Sequence, residues 1–137
     1  MAPRAIHEAA GRVRGVVLTR QREGRALLKL ERFDEARETL ESAHLAAASA
    51  GEERLAAQSL TNLGQVHLAQ GRHQAAVSPL LAAIATLTRL GAARPESRAR
   101  VALADVYAAQ EREELERALA LVSGDDPAAR DIWARLG

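Results

Sequence analysis

The sequence repeats itself at an offset of 40 residues. The offset aligns glycines or small residues, arginines, and alanine and leucine positions: Gly11/Gly51/Gly91, Gly24/Gly64/Ala104, Arg32/Arg72/Arg112, Ala36/Ala76, Leu40/Leu80 and Ala43/Ala83. In the third copy, deletion of one residue after Arg112 aligns Leu115, Leu119 and Val122 with the last three positions. Such self-similarity is typical of repeat proteins, in which each unit buries its apolar face against the next. The repeat therefore predicts a single domain of stacked units over residues 1–137.

Each copy has the apolar spacing of amphipathic helices. In the second copy a stripe from Leu60 to His67 is interrupted at Gly71 and resumes from Val77 to Leu90, with steps of three and four residues. Alanine, leucine, glutamate and arginine favour helices, and aromatic residues make up only 2% of the chain. The pattern predicts helices at about 12–31, 34–50, 52–70, 73–90, 95–110 and 112–122. We expect Asp34 to be an N-cap and Gly51 and Gly91 to be C-caps.

The repeat resembles the tetratricopeptide repeat in all three copies. The matching residues are Leu60, Leu63, Gly64, His67, Gly71, Ala76, Leu80 and Ala83; Gly24, Leu27, Phe33, Ala36, Leu40 and Ala43; and Leu103, Ala104, Tyr107, Leu115 and Leu119. The resemblance covers roughly residues 17–122, and the period is that of the longer variety found in kinesin light chains and in sensor domains of some bacterial regulators. It implies an all-α, right-handed superhelical solenoid of about three helix hairpins (repeats 12–50, 52–90 and 92–122). Such a fold implies a non-catalytic module that binds a peptide or protein segment.

The position shared by Gly24, Gly64 and Ala104 must be small, because the two helices of each hairpin cross there with their backbones close together. A bulky residue at this position would overpack the crossing by about 1–3 kcal/mol.

Residues 126–136 are predicted to form a C-terminal capping helix. Ala129, Ile132, Trp133 and Leu136 share one face of this helix, at i, i+3, i+4 and i+7. Burial of that face against the third repeat would close the end of the solenoid. In the alternative interpretation, Trp133 is an exposed anchor for a partner.

The N-terminal end allows two interpretations. Arg20 and Glu23 stand where the second copy has Leu60 and Leu63, which favours a first repeat that faces water. Gly11, however, is in phase with the loop glycines, which would make residues 4–10 the tail of an earlier helix.

The resemblance places the first helix of each repeat along a concave groove. The predicted groove residues are Arg22, Arg25, Lys29, Gln58, Asn62, Gln65, Arg98 and Asp105. Arg22, Arg25 and Lys29 have no acidic residue three or four positions away along their stripe, so their charges are not neutralised locally. The groove is therefore predicted to be electropositive and to accept an acidic segment or a terminal carboxylate, with Asn62 bonded to the peptide backbone and Arg98 on the opposite wall. Alternatively, these arginines are solvated side chains that keep a helix soluble.

The groove differs from a carboxylate clamp of the kind found in some chaperone-adaptor repeats. Gln21 stands where the first clamp lysine would be, Arg25 replaces an asparagine, and Ala102 replaces an arginine.

Other functional classes find no support in the sequence. The chain has no cysteine, and His7, His44, His67 and His73 lack metal-ligand spacing, so we expect no cofactor or metal. No nucleophile elbow or phosphate-binding loop is present, and an enzyme is not expected. A net charge of +1 argues against nucleic acid as a partner, and no apolar run approaches the ~20 residues that span a bilayer. The start of the chain lacks a secretory signal, so a cytoplasmic location is expected.

A second hypothesis makes the chain a self-associating scaffold segment or the sensor domain of a larger regulator. In that case Leu27, Leu28, Leu30 and Phe33 would partly serve a subunit contact.

Overall fold

The computed structural model describes residues 3–121 and 127–137, with side chains from residue 8 onward. Over these residues the chain forms six helices and no strand: α1 (Pro3–Lys29), α2 (Phe33–Ser49), α3 (Glu53–Ala69), α4 (His73–Leu90), α5 (Ala93–Ala120) and α6 (Pro127–Leu136). The predicted all-α helical repeat solenoid is confirmed. The predicted repeat position at Val122 and the first residue of the predicted capping helix, at 126, lie outside the described residues.

The helices lie in two layers. α1 packs on α2 and α3 packs on α4, and these two hairpins are joined through the contact of α2 with α3. α3 also contacts α1 and α5, so the three first helices lie side by side in one layer. This layer carries the predicted groove.

Each hairpin is closed by a leucine placed directly on a glycine. A Cβ atom added to Gly64 would lie 2.5 Å from Cγ of Leu80, and one added to Gly24 would meet Cγ of Leu40 at least as closely. Both leucines are fully buried. The small-residue crossing expected from the repeat is therefore present, at equivalent positions, in both hairpins.

The turns inside the two hairpins use a left-handed residue at equivalent positions. Glu31 has φ of 60° and Gly71 has φ of 74°. The second helix then begins after Arg32 or Arg72, neither of which caps it with its side chain.

The third copy does not make this turn, and the predicted helices at 95–110 and 112–122 are wrong. α5 continues from Ala93 to Ala120 without a break. Strong helix formers fill the equivalent of the turn, where Glu111 stands in place of Gly71. Ion pairs one helical turn apart, Arg112 with Glu116 at 3.2 Å and Arg117 with Glu113 at 2.6 Å, further support the continuous helix.

Three of the predicted boundary residues, Asp34, Gly11 and Gly51, have other places in the structure. Asp34 is not the N-cap of α2, because the helix already begins at Phe33. Its carboxylate lies in the first turn, where it interacts favourably with the positive end of the helix dipole. Gly11 lies inside α1, so the interpretation of residues 4–10 as the tail of an earlier helix is wrong. Gly91 is the left-handed C-cap of α4, as predicted, and Gly51 directly follows the C-cap Ala50 with φ of 73°.

The first hairpin presents charge where the second presents leucine. Glu23 is exposed, whereas Leu63, its counterpart in the second copy, is buried against Leu40 and Ala36. This agrees with the expectation that the outer face of the first hairpin meets water.

α6 packs against α5 with part of the predicted face. Ala129 is fully buried, while Ile132 and Leu136 are half-buried. Trp133 remains 59% exposed, so the expected burial of all four residues is wrong for the largest of them. Trp133 lies at the edge of the apolar stripe, where it stays uncovered because the ten-residue α6 packs, within the described ranges, on α5 alone.

Candidate functional site

A cavity of about 180 Å³ opens between α1, α3 and α5. Its lining consists of Leu18, Gln21, Arg25, Gln58, Thr61, Asn62, Pro95 and Arg98. Four of the predicted groove residues, one or two from each of these helices, therefore share one concavity.

A second cavity, of about 500 Å³, continues the groove between α3 and α5. Arg98 lines both cavities, and the second adds the predicted residues Gln65 and Asp105. Arg22 and Lys29 are exposed on α1 but line neither cavity. The structure thus brings six of the eight predicted residues together.

Asn62 combines burial with an unused amide. Its side chain is 5% exposed and lines the smaller cavity, and it makes no hydrogen bond to any of the described residues. An asparagine amide offers two donors and an acceptor. The amide of Asn62 is not among the described buried side-chain groups that lack a hydrogen-bond partner, so it reaches the cavity and is available to a group that enters the groove.

The floor of the groove contains a hydrogen-bonded pair that the sequence reasoning missed. Nε2 of Gln21 donates to Oγ of Ser59 at 2.9 Å and to the carbonyl oxygen of Leu55 at 3.1 Å. Both side chains are buried, and their bonds fix α1 against α3. The signal was present in the sequence, because Val17, Gln21 and Gly24 follow one helical stripe that also holds the crossing glycine.

The groove carries positive charge that the described residues do not neutralise. Neither Arg25 nor Arg98 has an ion pair within the described ranges. Elsewhere on the surface, by contrast, Arg14 pairs with Glu52 at 2.8 Å and Arg89 pairs with Glu53 at 2.7 Å. Among the residues that the structure describes, Asp105 is the one carboxylate that lines either of the two cavities.

The described histidines lie away from this groove. Burial, and then the charges of Arg72 and Arg37, lower the pKa of His67. Nδ1 of His73 lies 3.1 Å from Oε2 of Glu113, between the start of α4 and the second half of α5. No group of three histidine or acidic residues within residues 8–121 and 127–137 is placed to hold a metal ion.

None of the helices in the described ranges combines the length and the apolar character that crossing a membrane requires.

Comparison with known proteins identifies the repeat. Searches of curated proteins and of solved structures returned no match. A profile of the tetratricopeptide repeat family matches residues 18–89, which run from the second half of α1 to the last turn of α4 and make up more than half of the chain. With its paired helices crossing at Gly24 and Gly64, this chain belongs to the tetratricopeptide repeat family.

Proposed function

We propose that the groove formed by α1, α3 and α5 binds an extended, acidic segment of another protein. Tetratricopeptide repeats are generally protein–protein interaction modules, which supports a binding role. The observation that carries the finer proposal is the position of Asn62, whose unpartnered amide shares a cavity with Arg25 and Arg98.

The groove residues contact different parts of the bound segment. The amide of Asn62 donates to and accepts from the backbone of the bound segment. Arg25 on one wall and Arg98 on the other bind its carboxylates, and each guanidinium can engage a carboxylate through two parallel hydrogen bonds. The larger cavity, which includes the exposed Val101, accommodates an apolar side chain beside the acidic ones.

We assign no catalytic step to this site. The family is typically non-catalytic. The groove residues position the bound segment and complement its negative charge.

Charge reversal in the groove tests the proposal. We would titrate the whole chain into fluorescent acidic peptides, selected from a random acidic library, and follow anisotropy. Arg25→Glu should weaken binding at least tenfold, because it replaces an attraction with a repulsion. Arg130→Glu on α6 is the matched control and should bind as the wild type does, since Arg130 is exposed outside the groove. Equal binding by wild type and Arg25→Glu would refute the assignment of the groove.

Two further measurements refine the ligand. Comparison of each peptide with a free and an amidated C-terminus separates recognition of a terminal carboxylate from recognition of acidic side chains. Asn62→Ala should weaken binding of both forms, because the backbone contact that it removes is independent of the terminus. Salt should weaken binding by wild type more than by Arg25→Ala, because screening acts on the charge contacts.

Self-association, as a scaffold segment or as the sensor domain of a larger regulator, is the second candidate function. Leu27, Leu28 and Phe33 pack against the buried cluster around Leu40, which leaves only Leu30 of the predicted subunit contact largely exposed. Exposed apolar surface at the other end of the chain, on Leu121 and Trp133, favours this candidate. Light scattering across a wide concentration range tests it, because a stable monomer at all concentrations would exclude it.

A further inference from the structure

The larger groove cavity changes the sign of its charge along α5. Arg94 and Arg98 line the part of this cavity nearer the start of the helix, and Asp105 lines the part farther along it. From Arg98 to Asp105 the helix rises about 10 Å, at 1.5 Å per residue. One end of the cavity is therefore positive and the other end is negative.

The carboxylate of Asp105 has no ion-pair partner within the described residues. The residues three and four positions away on α5 are all uncharged: Val101, Ala102, Ala108 and Ala109. Ion pairs along a helix form between residues three or four apart, so Arg98 lies beyond that range. Helix α5 therefore does not neutralise Asp105.

Helix α3, on the other side of the cavity, supplies no cation either. It lines the cavity with Gln65 and Leu68, which carry no charge. The basic residues of α3 are Arg54, in its first turn, and His67, whose ring lies near Arg37 of α2. Neither lines the cavity, so Asp105 presents an uncompensated negative charge to a ligand.

Apolar side chains line the cavity between its two charged ends. They are Leu68 of α3 and Val101 and Ala102 of α5. Val101 is exposed, so this apolar surface is open to a ligand. An aliphatic side chain placed there would remove apolar surface of both molecules from water. The cavity thus offers a cationic, an apolar and an anionic contact in succession.

The spacing of these contacts sets the spacing of residues in the ligand. An extended chain in the polyproline II conformation rises about 3.1 Å per residue and brings every third residue to the same side. Three residues of such a chain span about 9 Å, which is close to the rise of α5 from Arg98 to Asp105. An acidic and a basic residue three positions apart, with an apolar residue between them, therefore match the cavity.

We propose that Asp105 selects a basic residue of the bound segment, three positions from the acidic residue that Arg98 holds and separated from it by an apolar residue. This inference rests on the proposed function, because it places the acidic residue on the same Arg98. It adds the requirement that the segment changes the sign of its charge along its length. A uniformly acidic segment is a poorer ligand, because one of its carboxylates meets the carboxylate of Asp105.

Selection from a peptide library tests this preference. The whole chain would select from peptides with capped ends, in which one glutamate is fixed and the residues on both sides of it are random. Peptides enriched by the wild type should carry lysine or arginine three positions from the glutamate, with an aliphatic residue between them. Asp105→Lys should lose this enrichment and select acidic residues at the same position.

The affinities of a matched pair of peptides measure the effect. The most enriched peptide, and a copy with glutamate in place of its basic residue, would be labelled with fluorescein and titrated with the whole chain. The wild type should bind the first peptide roughly fivefold more tightly, because the exchange turns an attraction at an exposed carboxylate into a repulsion. Asp105→Lys should reverse the preference, and Asp105→Asn should remove it.

A control variant separates a local effect from a change of net charge. Asp131→Lys makes the same change of charge at an exposed residue of α6, outside the groove, and should keep the preference of the wild type. Because Asp105 is also exposed, Asp105→Lys should melt at the temperature of the wild type.

Two outcomes would overturn the role of Asp105. They are equal affinity of the wild type for the two peptides, and an unchanged preference for the basic peptide in Asp105→Lys. Arg25→Glu, measured with the same peptides, distinguishes this failure from failure of the proposed function. If Arg25→Glu weakens both peptides while the wild type does not discriminate between them, the groove stands without this role for Asp105. If Arg25→Glu binds both peptides as the wild type does, the proposed function itself fails.

Discussion

Replacement of Gly64 by alanine tests the crossing that holds each hairpin together. The new Cβ would lie 2.5 Å from Cγ of Leu80 and 2.6 Å and 3.0 Å from its two Cδ atoms, against the ~3.5–4.0 Å that non-bonded carbons prefer. Leu80 is fully buried beside Ala76 and Val106 and has little room to retreat. Overpacking of this kind costs about 1–3 kcal/mol.

The higher helix propensity of alanine offsets part of this cost. Alanine is favoured over glycine in a helix interior by about 1 kcal/mol, so the net loss of stability from Gly64→Ala should be about 0–2 kcal/mol. For a chain of this size the upper end of that range corresponds to a drop in Tm of roughly 8 °C. Urea unfolding followed by circular dichroism measures the free energy, and a thermal melt checks the shift.

Two comparisons isolate the cause. Gly15→Ala, inside α1 with open space around the new methyl group, should stabilise by about 0.5–1 kcal/mol through helix propensity alone. In a Leu80→Ala background the clash partner is absent, so Gly64→Ala should become stabilising. If Gly64→Ala stabilises the wild-type chain as much as Gly15→Ala does, Leu80 does not pack closely enough on Gly64 to exclude a methyl group.

Three further substitutions probe other parts of the fold. Gln21→Ala should lower the free energy of unfolding by about 1–3 kcal/mol, because it leaves the buried hydroxyl of Ser59 and the carbonyl of Leu55 without their donor. Urea unfolding measures this loss, and a loss below a few tenths of a kcal/mol would show that the Gln21–Ser59 pair is dispensable. Glu31→Gly should raise the free energy of unfolding by about 0.5–1 kcal/mol, because it relieves a left-handed backbone that Gly71 adopts without strain. A loss of stability would mean that the side chain of Glu31 contributes more than the backbone strain costs. Burial lowers the pKa of His67 from 6.5, so the unfolded chain binds more protons between the lowered pKa and 6.5, and stability should fall as the pH drops through that window. His67→Gln should reduce this fall, and an unchanged pH profile would contradict the burial of a neutral imidazole.

The sequence predicted the two complete hairpins because their decisive contacts are encoded by register. A glycine in the first helix and a leucine sixteen residues later, as in Gly24 and Leu40, recur at the same offset in Gly64 and Leu80. The offset and the family resemblance together predicted the small residue at each crossing, and the structure adds the leucine that packs on it. The groove residues Arg25, Asn62 and Arg98 were predicted from the same 40-residue period, because the first helix of each copy lies in the same layer.

The third hairpin was not predictable in this way. Glu31 and Glu111 are the same residue at equivalent positions, yet the chain turns at the first and continues as a helix through the second. The glutamate itself cannot separate them, because a turn forms only where the helix that follows it can dock. Leu40 docks on Gly24, whereas the third copy offers the larger Ala104 and a sequence rich in helix formers.

The burial of Trp133 was misjudged and that of Gln21 was missed, because periodicity gives the direction of a side chain and not how far it is buried. Trp133 shares a stripe with Ala129, but only the buried side of that stripe meets α5. Gln21 lies on an apolar stripe as a polar residue, and only its bonds to Ser59 and Leu55 explain why it is buried there.

Unequal attachment of the helices has a consequence for how the molecule opens. α3 contacts α1, α2, α4 and α5, whereas α6, within the described ranges, contacts α5 alone. Undocking of α6 therefore breaks one interface and leaves both hairpins intact, so its opening free energy is lower than that of the whole chain. Amide protons of α6 will exchange while those of α3 are still protected, and the solenoid will loosen from its C-terminal end inward.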